Sequence, residues 1–119
     1  MKYYKLKYRL SITHSADNNE EHKHNHVLEG EIFAEPSADN FVEFSDMEDM
    51  VNKTLEIYQN QYLNSLEEFA GDANIENEGE VFWRKLVKVF DKNGWKLIRL
   101  EIGENPLRVY AVSVKEIRL

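Results

Sequence analysis

The sequence contains no cysteine. This absence excludes a disulfide framework, a cysteine-based zinc site and a thiol nucleophile. The sequence also has no apolar run near the roughly 18 residues that a membrane-spanning helix needs. Its first ten residues are basic without being continuously apolar, which is unlike a signal peptide. We therefore expect a cytoplasmic protein that has no membrane partner.

Basic residues are in the minority, with 15 basic against 22 acidic side chains and a formal net charge of −7 when the four histidines are neutral. A negative field repels phosphate backbones, so nucleic acid is not an expected partner. The chain has 119 residues, of which 42% are apolar. This length and composition predict one compact domain, residues 1–119, with a core of its own.

Alternation of apolar and polar residues predicts four strands. The first runs from Tyr4 to Thr13 and the second from about His22 to Ala34, and the two form an antiparallel hairpin. The third covers residues 95–102, and the fourth runs from Leu107 to about Ile117. The segment Gly103-Glu104-Asn105-Pro106 is expected to end the third strand, because glycine and proline favour turns.

Two helices are predicted between the second and third strands. Ser45 with Glu48 has the spacing of a capping box for the first helix, and Asn77 with Glu80 repeats the pattern for the second. Asn93-Gly94 ends the second helix, because glycine takes the left-handed position after a helix at little cost. The order ββααββ predicts an α+β domain in which two helices cover one face of a four-stranded antiparallel sheet.

Three of the four histidines, His22, His24 and His26, alternate along the start of the second strand. Alternate residues share a face about 6.6 Å apart, so two imidazoles are able to bind one ion through zinc–nitrogen bonds of about 2.1 Å. The outer pair is about 13 Å apart, so a further ligand must come from elsewhere. The hairpin brings His14 back toward this region. The alternative is a chance histidine-rich run on a polar hairpin.

This arrangement resembles a known family. Thr13-His14 followed by His24-Asn25-His26 is similar to the three-histidine zinc signature of the 6-pyruvoyltetrahydropterin synthase and 6-carboxytetrahydropterin synthase family. In that family one histidine ends the first strand, and a His-Gly-His follows a short loop later. The further matches, which follow the family's order along most of the chain, are Val42-Glu43-Phe44-Ser45-Asp46-Met47, Tyr62-Leu63-Asn64, Glu80 and Glu104.

The resemblance implies a T-fold and a zinc ion held by His14, His24 and His26. It implies a small-molecule pterin substrate, 7,8-dihydroneopterin triphosphate, on the folate, queuosine or biopterin route. Glu104 corresponds to the glutamate that anchors the pterin ring, and Glu80 corresponds to a second glutamate on the pterin side. The family also forms homotrimers, which stack as homohexamers, with sites between subunits.

The sequence departs from the family pattern at its catalytic positions. Glu20 stands where the family has its reactive cysteine, as in members that leave a hydroxymethyl group on the pterin, and Gln59 and Asn60 stand where it has an Asp-His pair. Glu78-Gly79 replaces a threonine that precedes the pterin-side glutamate. Glu20 is the candidate general base, although an unperturbed glutamate pKa of about 4.3 must be raised by burial for this task.

Three functions remain open at this point. The first is a zinc-dependent pterin lyase, and the second is a metal- or pterin-binding relative that has lost turnover, as the residues at positions 59 and 60 suggest. The third is a small acidic assembly module with incidental histidines. For single residues the alternatives are simpler: Glu20 is a loop carboxylate, Glu80 is only a helix cap, and Glu104 is a surface charge. His22 is a solvated loop residue, an outer partner of the metal site or a replacement base.

Overall fold

The computed structural model describes residues 2–36 and 42–114. In chain order its strands and longer helices are β1 (Tyr4–His14), β2 (His24–Pro36), α1 (Phe44–Leu55), α2 (Ile75–Lys92), β3 (Trp95–Asn105) and β4 (Arg108–Ser113). Short 3-10 turns occupy part of the two connections that precede β2 and α2. This order confirms the predicted ββααββ arrangement and the α+β class.

The four strands form one antiparallel sheet in the order β1-β2-β3-β4. The β1–β2 hairpin is long, and its pairing runs from Tyr4 opposite Ala34 to His14 opposite His24 without a slip. Opposed residues of an antiparallel pair point to the same face. The register therefore places the end of β1 and the start of β2 side by side on the face that the helices cover.

That covered face carries the core. Because strand residues alternate between faces, every second side chain of β1 packs inward, and the row ends in the buried imidazole of His14. Both helices lay an apolar stripe on the sheet, as helical periodicity requires. The buried residues of these stripes are Met47, Val51 and Leu55 on α1 and Val81, Phe82, Leu86 and Phe90 on α2.

The predicted capping box at Ser45 is wrong. α1 begins at Phe44 after Glu43, and no side chain caps it. The phenolic oxygen of Tyr4 accepts a hydrogen bond from the Val42 amide at 3.2 Å, and the rings of Tyr4 and Phe44 pack edge to face with centroids 5.2 Å apart. These long-range contacts, and not the local capping-box sequence, determine where the helix starts.

The predicted start of α2 is also wrong, by about one turn. The side chain of Asn74 caps the helix by accepting a hydrogen bond from the Asn77 amide at 2.8 Å. Asn77 is no cap, since its side-chain amide donates to the carbonyl oxygen of Asp72. The predicted end is confirmed, with Gly94 at φ 73°. The earlier start places Glu78 inside the first turns of α2.

The predicted break at residues 103–106 is wrong as well. β3 continues through Asn105, and the pairing of β3 with β4 becomes irregular between Ile102 and Asn105. Gly103 permits this irregularity, because a Cβ there would lie 2.6 Å from the carbonyl oxygen of Arg108. β4 starts at Arg108, and the predicted extension past residue 114 lies outside the described residues. Within the described ranges, no helix is both long and apolar enough to cross a membrane.

Candidate metal centre

Three histidines converge at the end of the β1–β2 hairpin. His14 ends β1 directly opposite His24 at the start of β2, and His26 follows two residues later on the same face. One ring nitrogen from each lies within 4.8 Å of the others, and the ring centroids are 4.5 to 5.1 Å apart. The structure therefore brings the three histidines of the predicted signature into one cluster.

A carboxylate from β3 faces this cluster. Glu104 lies two residues beyond the buried Ile102, which puts its side chain on the same face as the histidines. Its Oε1 is 3.0 Å from Nε2 of His14, and its Oε2 is 3.7 Å from Nε2 of His26. Both oxygens thus point at the nitrogens that a metal would use. The predicted turn at Glu104 is in fact the end of a strand, which holds the side chain in this place.

A second carboxylate, Glu78, was missed by sequence reasoning as a site residue. Its side chain is fully buried, and its Oε2 lies 2.9 Å from Nδ1 of His14. Its Oε1 has no hydrogen-bond partner among the described residues. The signal that identifies it is its position, since Glu78 precedes Phe82 and Leu86 by four and eight residues and so stands on the apolar stripe of α2.

These neighbours act on the histidines in opposite ways. Burial lowers the pKa of His14, but the hydrogen bond and charge of Glu78 and the charge of Glu104 outweigh this effect and raise the pKa overall. Burial raises the pKa of Glu78, against the influence of His14. Burial, together with charge on His14 and His24, lowers the pKa of His26 in spite of Glu104. His26 therefore favours its neutral form, which is the form that binds metal.

The donor set fits a zinc ion. Neutral imidazole nitrogens are among the preferred ligands of zinc, and three of them with a position left for substrate or water are typical of catalytic sites. Nδ1 of His24 lies 3.2 Å from the carbonyl oxygen of His22, an acceptor, so that nitrogen carries the proton and Nε2 is left for an ion. His14 also belongs to a second group of possible ligands, with Glu78 and Glu104.

The structure places the remaining predicted site residues with other partners. Glu20 lies in the 3-10 turn before β2, where its side chain is 74% exposed and pairs with Lys23 at 3.5 Å. Glu80 accepts a hydrogen bond from the Tyr110 hydroxyl at 2.9 Å, between α2 and β4. His22 is bonded to Asp17 on the surface and stands outside the three-histidine group.

The two positions after the 3-10 turn at Glu56–Tyr58 support the edge of β1. The side-chain oxygen of Gln59 accepts a hydrogen bond from the Ser11 amide at 3.2 Å. Asn60 lies in the left-handed region with φ 60°, and its backbone N–H donates to the carbonyl oxygen of Ser11 at 2.7 Å. A polar cleft of about 460 Å³ lies next to them and is lined in part by Asn60 and His26.

Asn64 fixes the loop that follows His14. Its Oδ1 accepts from the Ser15 amide, and its Nδ2 donates to the Ser15 carbonyl oxygen, both at 2.9 Å. The same nitrogen lies 3.3 Å from Oδ1 of Asn18 and 3.2 Å from the carbonyl oxygen of Gly71. This network is buried, so it gives a physical role to the last residue of the Tyr-Leu-Asn segment.

Asn64→Ala is expected to destabilise the protein by about 2 kcal/mol or more, because it leaves the buried backbone groups of Ser15 without partners. Urea unfolding measures this change. Asn64→Asp tests the donors separately: it keeps the acceptor for the Ser15 amide but turns a carboxylate oxygen toward the carbonyl oxygens of Ser15 and Gly71, so it should destabilise the protein as well. Equal stability of Asn64→Ala and wild type would contradict the assigned role.

The fold and the histidine cluster together define an α+β domain of the T-fold type with a candidate metal site at one end of its sheet. The chain belongs to the 6-pyruvoyl tetrahydropterin synthase family, because the model of that family matches residues 2–115. This match confirms the resemblance seen in the sequence. Membership supports a pterin-pathway function of the lyase type.

Two solved structures share the fold. The 6-pyruvoyl tetrahydropterin synthase of Caenorhabditis elegans superposes with a TM-score of 0.74 at 15% identity, covering 96% of each chain. The 6-pyruvoyl tetrahydropterin synthase of Plasmodium falciparum superposes with a TM-score of 0.62 at 11% identity, covering 94% of this chain and 98% of that one. No curated protein sequence matches the chain. At these identities the two structures support the fold alone.

Proposed function

We propose that this chain is a zinc-dependent pterin enzyme of the 6-pyruvoyl tetrahydropterin synthase type, acting on 7,8-dihydroneopterin triphosphate. The observation that carries the proposal is the convergence of His14, His24 and His26 within 4.8 Å on one face of the sheet. Family membership supports the pterin chemistry. The three-nitrogen donor set supports zinc, because such sets leave a position for substrate.

Each residue has its own task in this proposal. The three histidines hold the zinc, which when bound polarises the oxygens of the pterin side chain and so acidifies the neighbouring C–H bonds. Glu104, which is 34% exposed beside the cluster, binds the 2-amino group and N3 of the pterin with its two oxygens. Glu20 accepts the proton that leaves one of these C–H bonds. Glu80 lies on the side of the site that binds the pterin, and the hydrogen bond that it accepts from the Tyr110 hydroxyl holds its carboxylate in place.

Glu20 needs a less exposed setting for this task than one subunit gives it. We propose that the protein acts as a homotrimer or homohexamer in which a neighbouring subunit closes the site over Glu20. Two features of the described residues support assembly: β4 forms one edge of the sheet, and Leu107 just before it and Val109 within it are 91% and 54% exposed. An uncovered strand edge with apolar side chains favours pairing with another copy.

Glu20→Gln is expected to lower kcat by about 100-fold or more, because a positioned general base contributes about that much. Product analysis on 7,8-dihydroneopterin triphosphate measures the change, and zinc content should stay at the wild-type level. Glu21→Gln is the matched control, since Glu21 is the exposed next residue of the same 3-10 turn. Full turnover of Glu20→Gln would remove Glu20 from the mechanism.

The second candidate is a relative that binds metal or pterin without turnover. The observation in its favour is that Gln59 and Asn60, at the positions of the family's Asp-His pair, are both engaged with Ser11 on the edge of β1. Negligible turnover by both wild type and Glu20→Gln, with pterin binding retained, would favour this candidate over the enzyme.

A further inference from the structure

Glu78 is a carboxylate in an unusual place. It lies near the start of α2 with its side chain fully buried, beside Gly79 and on the stripe that packs against the sheet. The helix approaches β4 closely at this point, since a Cβ on Gly79 would meet the Tyr110 ring at 2.8 Å. An ionisable side chain in such a position is costly to bury and is retained in proteins mainly where it has a partner.

The partner of Glu78 is His14. Oε2 of Glu78 lies 2.9 Å from Nδ1 of His14, and the other ring nitrogen, Nε2, faces the histidine cluster and Glu104. A carboxylate accepts hydrogen bonds, so this contact is made by an Nδ1–H donor. Glu104 lies 3.0 Å from Nε2, so without metal a protonated ring donates from both nitrogens. An ion bound at Nε2 would displace that proton and leave the ring donating from Nδ1 alone. This is the tautomer that His14 needs as a metal ligand.

We propose that Glu78 is a positioning residue of the metal centre. Its carboxylate accepts a hydrogen bond from Nδ1–H of His14 and thereby fixes the ring orientation and the tautomer that present Nε2 to the ion. The proposal rests on the metal site described under Proposed function and assigns that site an outer carboxylate on α2. Carboxylate partners of this kind orient metal-binding histidines in many sites.

The same geometry argues against Glu78 as a direct metal ligand that would replace His24 or His26. Glu78 and Glu104 each contact a different nitrogen of the His14 ring, at 2.9 and 3.0 Å. One ion binds only one of those nitrogens. Nε2 is the nitrogen on the side of the cluster, because the Glu104 carboxylate that contacts it also contacts Nε2 of His26. Glu78 therefore contacts the nitrogen that an ion on Nε2 would not use, although one of its oxygens lies within 4.8 Å of Glu104.

The unpaired oxygen of Glu78 gives the proposal a second consequence. Because Oε1 has no partner among the described residues, the carboxylate is a poor choice for stability alone. Glu78→Leu removes this carboxylate but also leaves Nδ1 of the buried His14 without its acceptor, so it should lower the unfolding temperature of the metal-free protein. Zinc affinity, and not the unfolding temperature, therefore distinguishes a positioning role from a structural one.

The test compares zinc affinity, measured by competition with a chromophoric chelator, in wild type, Glu78→Leu, Glu78→Gln and Glu76→Gln. Glu78→Leu should bind zinc about 10- to 100-fold more weakly, and Glu78→Gln should lose less, since its amide oxygen still accepts from His14. Glu76→Gln is the control, because Glu76 is exposed in the same part of α2 and its substitution changes the charge equally. Long-range ¹H–¹⁵N spectra of the zinc-bound wild type should show a protonated Nδ1 on His14.

The outcomes separate the two proposals. If wild type binds no zinc, the metal site and this inference fail together. If wild type binds zinc and both Glu78 variants bind it equally well, or if the spectra place zinc on Nδ1 of His14, the inference alone is wrong. Glu78→Gln keeps the size and polarity of the side chain, so the test does not depend on the folding of Glu78→Leu.

Discussion

Replacement of His24 by alanine should weaken zinc binding by more than about 100-fold, which exceeds the usual cost of losing a partner outside the coordination sphere. His24 faces His14 across the hairpin, with ring centroids 4.8 Å apart, and His26 lies 4.5 Å from it on the same strand. Loss of this imidazole leaves two nitrogens in the cluster, too few for the three-ligand arrangement of a catalytic zinc site.

His22→Ala is the matched control for this experiment. His22 is two residues from His24, is bonded to Asp17, and has a side chain that is 62% exposed. Its loss changes the histidine count equally without touching the three-histidine group. Zinc content after dialysis and chelator competition measure both variants.

Thermal unfolding gives an independent readout of the same prediction. A ligand that binds only the folded state adds about 2.7 kcal/mol to the unfolding free energy when its free concentration is 100 times the dissociation constant. Zinc should therefore raise the unfolding temperature of wild type and His22→Ala and leave that of His24→Ala unchanged. Wild type without bound zinc would remove the metal site and leave the assembly module as the remaining function.

The hairpin is the part of the fold and site that the sequence predicts best. Strand residues alternate strictly between faces, and a turn returns the second strand in register, so the pattern of Tyr4 to His14 and the run from His22 to His26 suffices to place the histidines together. No long-range contact is needed for this step. The alternation of strand side chains between the two faces is sufficient by itself to predict that these histidines share a face.

The helix starts were predicted wrongly because the signals that decide them are not local. Ser45 has a good capping-box sequence, yet Tyr4, about 40 positions earlier, determines where α1 begins through its contacts with Val42 and Phe44. At α2 two asparagines, Asn74 and Asn77, both have the chemistry of a cap. Two contacts decide between them: the Asn74 side chain accepts from the Asn77 backbone amide, and the Asn77 side chain donates to the carbonyl oxygen of Asp72.

Glu78 was missed because acidic residues are common in the first turn of a helix, and this chain is rich in them. Its spacing to Phe82 and Leu86 nevertheless places it on the buried stripe of α2. A carboxylate on such a stripe is a detectable signal in the sequence. The identity of its partner, His14, comes from the tertiary structure alone.

Glu104→Gln is expected to weaken the binding of 7,8-dihydroneopterin by about 3 kcal/mol, or about 100-fold, because a glutamine amide replaces one of two charge-assisted acceptors with a donor. Zinc affinity should change by less than about tenfold, because Glu104 lies beside the ligand nitrogens as a charge and is not one of the three histidines. Pterin fluorescence titration and chelator competition measure the two affinities separately on the same protein.

Glu101→Gln is the control for this substitution, since Glu101 belongs to the same strand but pairs with Arg99 at 2.9 Å on the opposite face. It should leave both affinities at the wild-type level. The contrary result is a large loss of zinc affinity in Glu104→Gln with pterin binding retained. Glu104 would then be a fourth protein ligand, and a zinc site closed by four protein ligands has no open position for substrate, as in structural sites. That result would exclude the proposed pterin anchor and favour a protein that holds metal without turning over substrate.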